Sequence, residues 1–129
     1  MKHVLLAALT LAATTATAQE AAIGPDAWRA LTEGKTLYYY KDGELYGREY
    51  FGPGDRVVFR FPNGACAEGA WAYAEEKFCF AYAGQLHCFS HWMRDGEIVV
   101  RSIDDPEEEQ TVEKIADNEP LTCDEAVDS

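Results

Sequence analysis

Between Lys35 and Ile103 the chain alternates apolar and polar residues in short runs, and each run ends at a turn signal. The runs are Thr36–Lys41, Glu44–Phe51, Arg56–Phe61, Ala67–Ala74, Lys77–Tyr82, Gln85–Met93 and Glu97–Ile103. Between them lie Asp42-Gly43, Gly52-Pro53-Gly54, Pro62-Asn63-Gly64, Glu75-Glu76, Ala83-Gly84 and Asp95-Gly96, mostly the Gly- or Asn-containing loops that close hairpins. A period of two broken this often predicts strands, and connections this short join antiparallel neighbours. The expected fold is all-β, an antiparallel up-and-down meander of seven or eight strands. Ahead of it, Pro25 opens a short helix through Glu33, with Trp28 and Leu31 on one face and Gly34 as the stop.

Carrying the turn registers along the meander sorts its two faces. Trp71, Tyr73, Phe78, Phe80, Tyr82, Phe89, Met93, Ile98 and Val100 fall on one side, and smaller residues such as Ala70, Ala72 and Ala81 on the other. Only the first has the bulk for a core. A sheet with one aromatic face must be covered or close on itself, which predicts a small barrel with the Trp28 helix near one end. Residues 104 to 129 are ambiguous. Asp105-Pro106-Glu107-Glu108-Glu109 reads as a helix start, whereas Thr111 to Ile115 reads as an eighth strand, and barrel closure favours the strand. The expected organisation is 1–18 signal peptide, 19–34 loose leader and short helix, 35–103 barrel, and 104–129 acidic segment.

The signal peptide follows from Lys2 and His3, the apolar run Val4 to Ala13, and the small-x-small site Ala16-Thr17-Ala18. That run is too short to span a bilayer as a helix. Cleavage there leaves 111 residues, one domain in a periplasmic or secreted, oxidising setting. The 23 acids and 11 bases give a net charge of −12, or −13 once Lys2 is lost. Such a balance argues against nucleic acid and against anionic membrane surfaces. Residues 104 to 129 carry −10 of it, which reads as a solvated acidic tail or as a face steering a basic partner.

Cys66, Cys79, Cys88 and Cys123 are an even set in a small secreted chain, hence two expected disulfides. A two-residue turn at Ala83-Gly84 places Cys79 directly opposite Cys88 in a non-hydrogen-bonded pair, where side chains lie closest. Cys66–Cys123 follows by elimination and would pin the acidic segment to the domain. Their spacings match no familiar zinc pattern.

Gly34-Lys35-Thr36, Gly69-Ala70-Trp71, Cys79-Phe80-Ala81-Tyr82 and Cys88-Phe89 together resemble small secreted bacterial proteins of unassigned function with a lipocalin-like β-meander. The likeness covers roughly residues 25 to 103 and implies the fold; it implies no activity.

Candidate chemistry is sparse. No Ser-His-Asp pattern, phosphate-binding Gly loop or His-Glu-x-x-His motif is present, so a non-enzymatic domain without a cofactor is expected. Glu68 is the acid that stands out, between Ala67 and Gly69 in a central strand, with an outward solvated position as the plain alternative. His87, His91 and Met93 share one strand face, a donor set suited to copper or haem iron. His87 and His91 lie roughly 13 Å apart at about 3.3 Å per residue, so His91 and Met93 are the nearer pair. With Asp42-Gly43 as the turn, Tyr39 should oppose Tyr46 in a tyrosine-rich hairpin. Arg48, Arg56 and Arg60 would hold a carboxylate or offset nearby acids. The leading expectation is a barrel that binds a small molecule or protein, with Tyr39, Tyr46, Trp71, Tyr82 and His87 as candidate contacts. The alternatives are an acidic inhibitor or chaperone of a basic envelope protein, and a metal module on His91 and Met93.

Overall fold

The computed structural model describes residues 3–5, 7–10 and 19–124. The expected cleavage site at residues 16–18 lies outside them. Among the described residues there are one helix, α1 (Pro25–Thr32), and nine strands: β1 (Glu20–Ala22), β2 (Thr36–Lys41), β3 (Glu44–Phe51), β4 (Arg56–Arg60), β5 (Cys66–Ala74), β6 (Lys77–Tyr82), β7 (Gln85–Arg94), β8 (Glu97–Ser102) and β9 (Glu109–Ala116). Strands β2 to β9 pair in sequence order, and β9 returns to pair with β2. The result is a closed eight-stranded antiparallel barrel, as the alternation predicts.

Residues 105–116 resolve in favour of the strand. β9 supplies Val112 and Ile115 to the interior and joins β8 to β2, so no barrel edge is left open. The chain beyond it is no loose tail as far as Asp124. It crosses the outside of the barrel, where the Glu119 carbonyl and carboxylate accept hydrogen bonds from Thr36 and Tyr38. Leu121 is buried beneath this strap, and Cys123 is bonded to Cys66 on β5. Several acids of the segment are spent on the barrel's own bases: Glu108 on Lys41, Asp117 on Lys35 and Glu119 on Lys114.

The leader is also ordered, contrary to expectation. β7 is long enough to pair first with β6 through Gln85–Phe89 and then with β8 through Phe89–Arg94, and β1 occupies the edge β6 leaves free. Glu20 secures it there, bonding the Arg101 guanidinium through both oxygens while Glu109 bridges Arg101 and Arg94.

α1 closes one end of the barrel. Pro25 sits in the first turn and Gly34, at φ +76°, ends the helical path. Trp28 is fully buried against Phe51, Phe78 and His91. Arg29 clasps the adjoining turn by bonding Asp55 at 2.7 Å and the Gly54 carbonyl at 2.8 Å. The opposite end, bounded by the turns at Asp42-Gly43, Pro62–Gly64 and Ala83-Gly84, carries no such plug. Both disulfides are formed as expected, Cys79–Cys88 as a cross-strand pair. No helix among the described residues is long and apolar enough to cross a membrane.

Candidate functional site: an aromatic cup with a buried carboxyl

At the unplugged end the barrel is hollow. A cavity of ≈ 320 Å³ opens between Tyr46, Phe61 and His87 and descends to His91. The floor is His91, whose ring packs tilted on Trp28 at 4.2 Å and edge-to-face on Phe78 at 4.5 Å. The walls are aromatic. Phe59 stands at their centre, 4.8 Å from Phe61, 5.9 Å from Tyr46, 6.1 Å from Tyr39 and 6.3 Å from Tyr82, ring centre to ring centre.

Gly47 makes room for that ring. A Cβ at this position would overlap Phe59, so the backbone of β3 lies directly on it. The same crowding explains a departure from the expected register. Tyr40 pairs with Leu45, but Tyr39 pairs with Gly47, so Tyr46 is the extra residue of a bulge and does not oppose Tyr39. The bulge turns the Tyr46 ring to the mouth, beside Phe59 and Phe61.

Past the bulge, alternation along β3 sends Gly47, Glu49 and Phe51 inward. Glu49 therefore presents a carboxyl group to an aromatic cavity while only 4% exposed. Its Oε1 accepts a hydrogen bond from Tyr39 at 2.7 Å and its Oε2 one from Tyr82 at 2.5 Å. Among the described residues it forms no ion pair. Burial raises its pKa to about 7, although the two tyrosine hydroxyls pull the other way. Burial, and then the Glu49 charge, push both tyrosines upward, so they remain protonated donors.

His91 is the second buried titratable group, 3% exposed. Burial drives its pKa down to about 3, so the ring is neutral at physiological pH. Its Nδ1 is buried without a partner. The cup thus holds one carboxyl satisfied by two hydroxyls and one imidazole with an unused nitrogen.

Of the residues singled out by sequence, Tyr39, Tyr46, Tyr82, His87 and His91 line the cavity. Trp71 does not. It is buried at the closed end, packed on Phe51 and Phe78 with the Arg29 guanidinium 4.8 Å from its ring, and is part of the core. Met93 lies beyond the floor, paired with Ala21 and Ile98, and does not reach the cavity with His91. No group of three or more His, Cys, Asp or Glu suited to a metal occurs among the described residues. Glu68 takes the plain alternative, outward and paired with Arg56 at 3.3 Å. Arg48 and Arg60 face each other across β3 and β4 and do not converge with Arg56 on a carboxylate.

Sequence reasoning missed Glu49, Phe59 and Phe61. The signal for Glu49 was its phase: it is two residues before Phe51 on a strand whose apolar positions point inward.

The chain matches no family model, no curated protein and no solved structure.

Proposed function

We propose that this chain is a periplasmic or secreted, non-enzymatic protein that binds a small molecule in the aromatic cup. The observation that carries this reading is the division of one barrel into a plugged end and a hollow one. An eight-stranded barrel is just wide enough for side chains to fill, or to hold one small ligand. Here α1 and Trp28 fill the lower half, while the upper half keeps a cavity of ≈ 320 Å³ with aromatic walls and the buried Glu49 and His91 at depth. That combination of apolar walls and a few oriented polar groups is the usual make-up of small-ligand sites. The volume limits the occupant to a compact molecule. Two disulfides and the expected signal peptide support the compartment. Among the described residues the lining contains no serine, threonine or cysteine nucleophile, which favours binding over acyl or phosphoryl transfer.

Backbone NMR with 2-phenylethanol as a compact aromatic probe tests the reading. Saturable shifts at Tyr46, Phe59, Tyr82, His87 and His91, with the strap at Glu119–Cys123 unmoved, are expected. Shifts scattered over the surface, or none up to millimolar probe, would contradict it.

A further inference from the structure

We infer that the cup is selective for organic cations, and that its occupant is a compact amine whose ammonium group pairs with Glu49 inside the aromatic wall. The inference rests on the small-molecule reading above and names the ligand class for that same site.

Its first ground is an incomplete charge balance. Among the described residues Glu49 carries the only carboxyl group in the cavity lining, and the tyrosines that hold it are neutral donors. They satisfy hydrogen-bonding capacity but supply no opposite charge. An ionised carboxylate taken out of water is costly unless a cation accompanies it. None of the chain's own bases fills that role among the described residues, where the ion pairs lie outside the barrel. A bound ammonium group would complete the pair.

The second ground is independent of Glu49. Rings from three alternate strands line the same cavity: Tyr39 on β2, Phe59 on β4, and Phe80 and Tyr82 on β6. Aromatic faces attract cations, and more strongly when water is excluded. A wall of this kind with one carboxylate at depth recognises an amine by its charge and its hydrocarbon together. A carboxylate ligand meets the reverse, an electron-rich wall and a like charge. The approach is also favourable to cations, because Asp42, Asp104, Asp105 and Glu107 occupy loops at the mouth, while the nearby Lys41, 5.8 Å from the Tyr46 ring, is offset by its ion pair with Glu108.

The titratable groups that share the cavity with Glu49 are Tyr39 from β2, Tyr46 from its own strand, Tyr82 from β6, and His87 and His91 from β7. His91 is neutral above about pH 3. Protonation of Glu49 around pH 7 removes the charge that selects the ammonium.

Isothermal titration of the mature chain with 2-phenylethylamine, 2-phenylethanol and 3-phenylpropionate distinguishes the outcomes. At pH 8 the amine should bind at least about tenfold more tightly than the alcohol, and the carboxylate most weakly. That ratio should fall by pH 5.5 to what the aromatic wall alone gives, and it should stay at that lower value at every pH in Glu49→Gln. Equal binding of amine and alcohol by the wild type at pH 8, or preference for the carboxylate, overturns cation selection and leaves the cup standing. A pH slope that survives in Glu49→Gln assigns the selection to another group and overturns the role of Glu49. Binding of none of the three overturns the cup and cation selection with it.

Discussion

The two ends of the barrel solve the same problem in opposite ways. Both are lined by inward aromatic residues on strands that alternate in phase. At the lower end Trp28 enters from α1, fully buried, and meets Phe51, Phe78 and His91. At the upper end the rings of Tyr39, Tyr46, Phe59 and Tyr82 lean on one another around a void, with a carboxyl group among them. Aromatic content therefore does not decide whether a small barrel is filled; a plug does. The lower end holds the structure together, and the upper end carries strain in the form of a buried acid. Groups kept against their solvation preference in an otherwise well-satisfied fold mark sites of function.

Breaking the plug should have the largest effect. Trp28→Ala removes the side chain that seals the base and should cost about 3–5 kcal/mol, read as a lowered denaturant midpoint. It should also extend the cavity downward past His91. A loss below about 1 kcal/mol would show that the base is held by the strands alone.

The upper end should respond in the opposite sense, and with pH. The folded pKa of Glu49 is raised above its ordinary value of 4.5 to about 7. The native state therefore holds its proton more tightly than the unfolded chain, and stability declines as pH rises through that window. Glu49→Gln should then stabilise the protein by on the order of 3 kcal/mol at pH 8 and change little at pH 4. His91 runs the other way. Its folded pKa is lowered from 6.5 to about 3, so the neutral ring contributes stability above 6.5 that is lost as pH falls toward 3. His91→Leu should accordingly relieve acid destabilisation while leaving the alkaline side to Glu49. Urea melts of both variants from pH 4 to 8 check the crossing; parallel curves for wild type and both variants would contradict it.

Most of the barrel was legible because its turns are short and fix register locally. Ala83-Gly84 alone places Cys79 opposite Cys88, and the run from Lys77 to Tyr82 is a strand to the residue. What could not be read depends on distant partners. β1 is a strand because Glu20 meets Arg101, 81 residues away, and three residues of leader carry no such information. The bulge at Tyr46 reflects the fit of Gly47 to the Phe59 ring. The acidic segment looked like a tail because its pairing bases, Lys35, Lys41 and Arg101, are scattered through the barrel. Trp71 was grouped with the candidate contacts because alternation assigns a face but no height along the barrel axis. Glu49 was passed over for the opposite reason. Glutamate is normally outward, and residue type outweighed a phase that pointed in.

Among the described residues Glu49 has no ion pair, and on the reading proposed above it gains one when an organic cation enters the aromatic cup. Carbon-detected NMR titration of the Glu49 side chain, free and saturated with 2-phenylethylamine, tests it most directly. A midpoint near 7 in the free protein, displaced downward when the amine is bound, is the predicted result. A midpoint at the ordinary value of 4.5, unmoved by the amine, would show that water already reaches this carboxylate and would contradict the account.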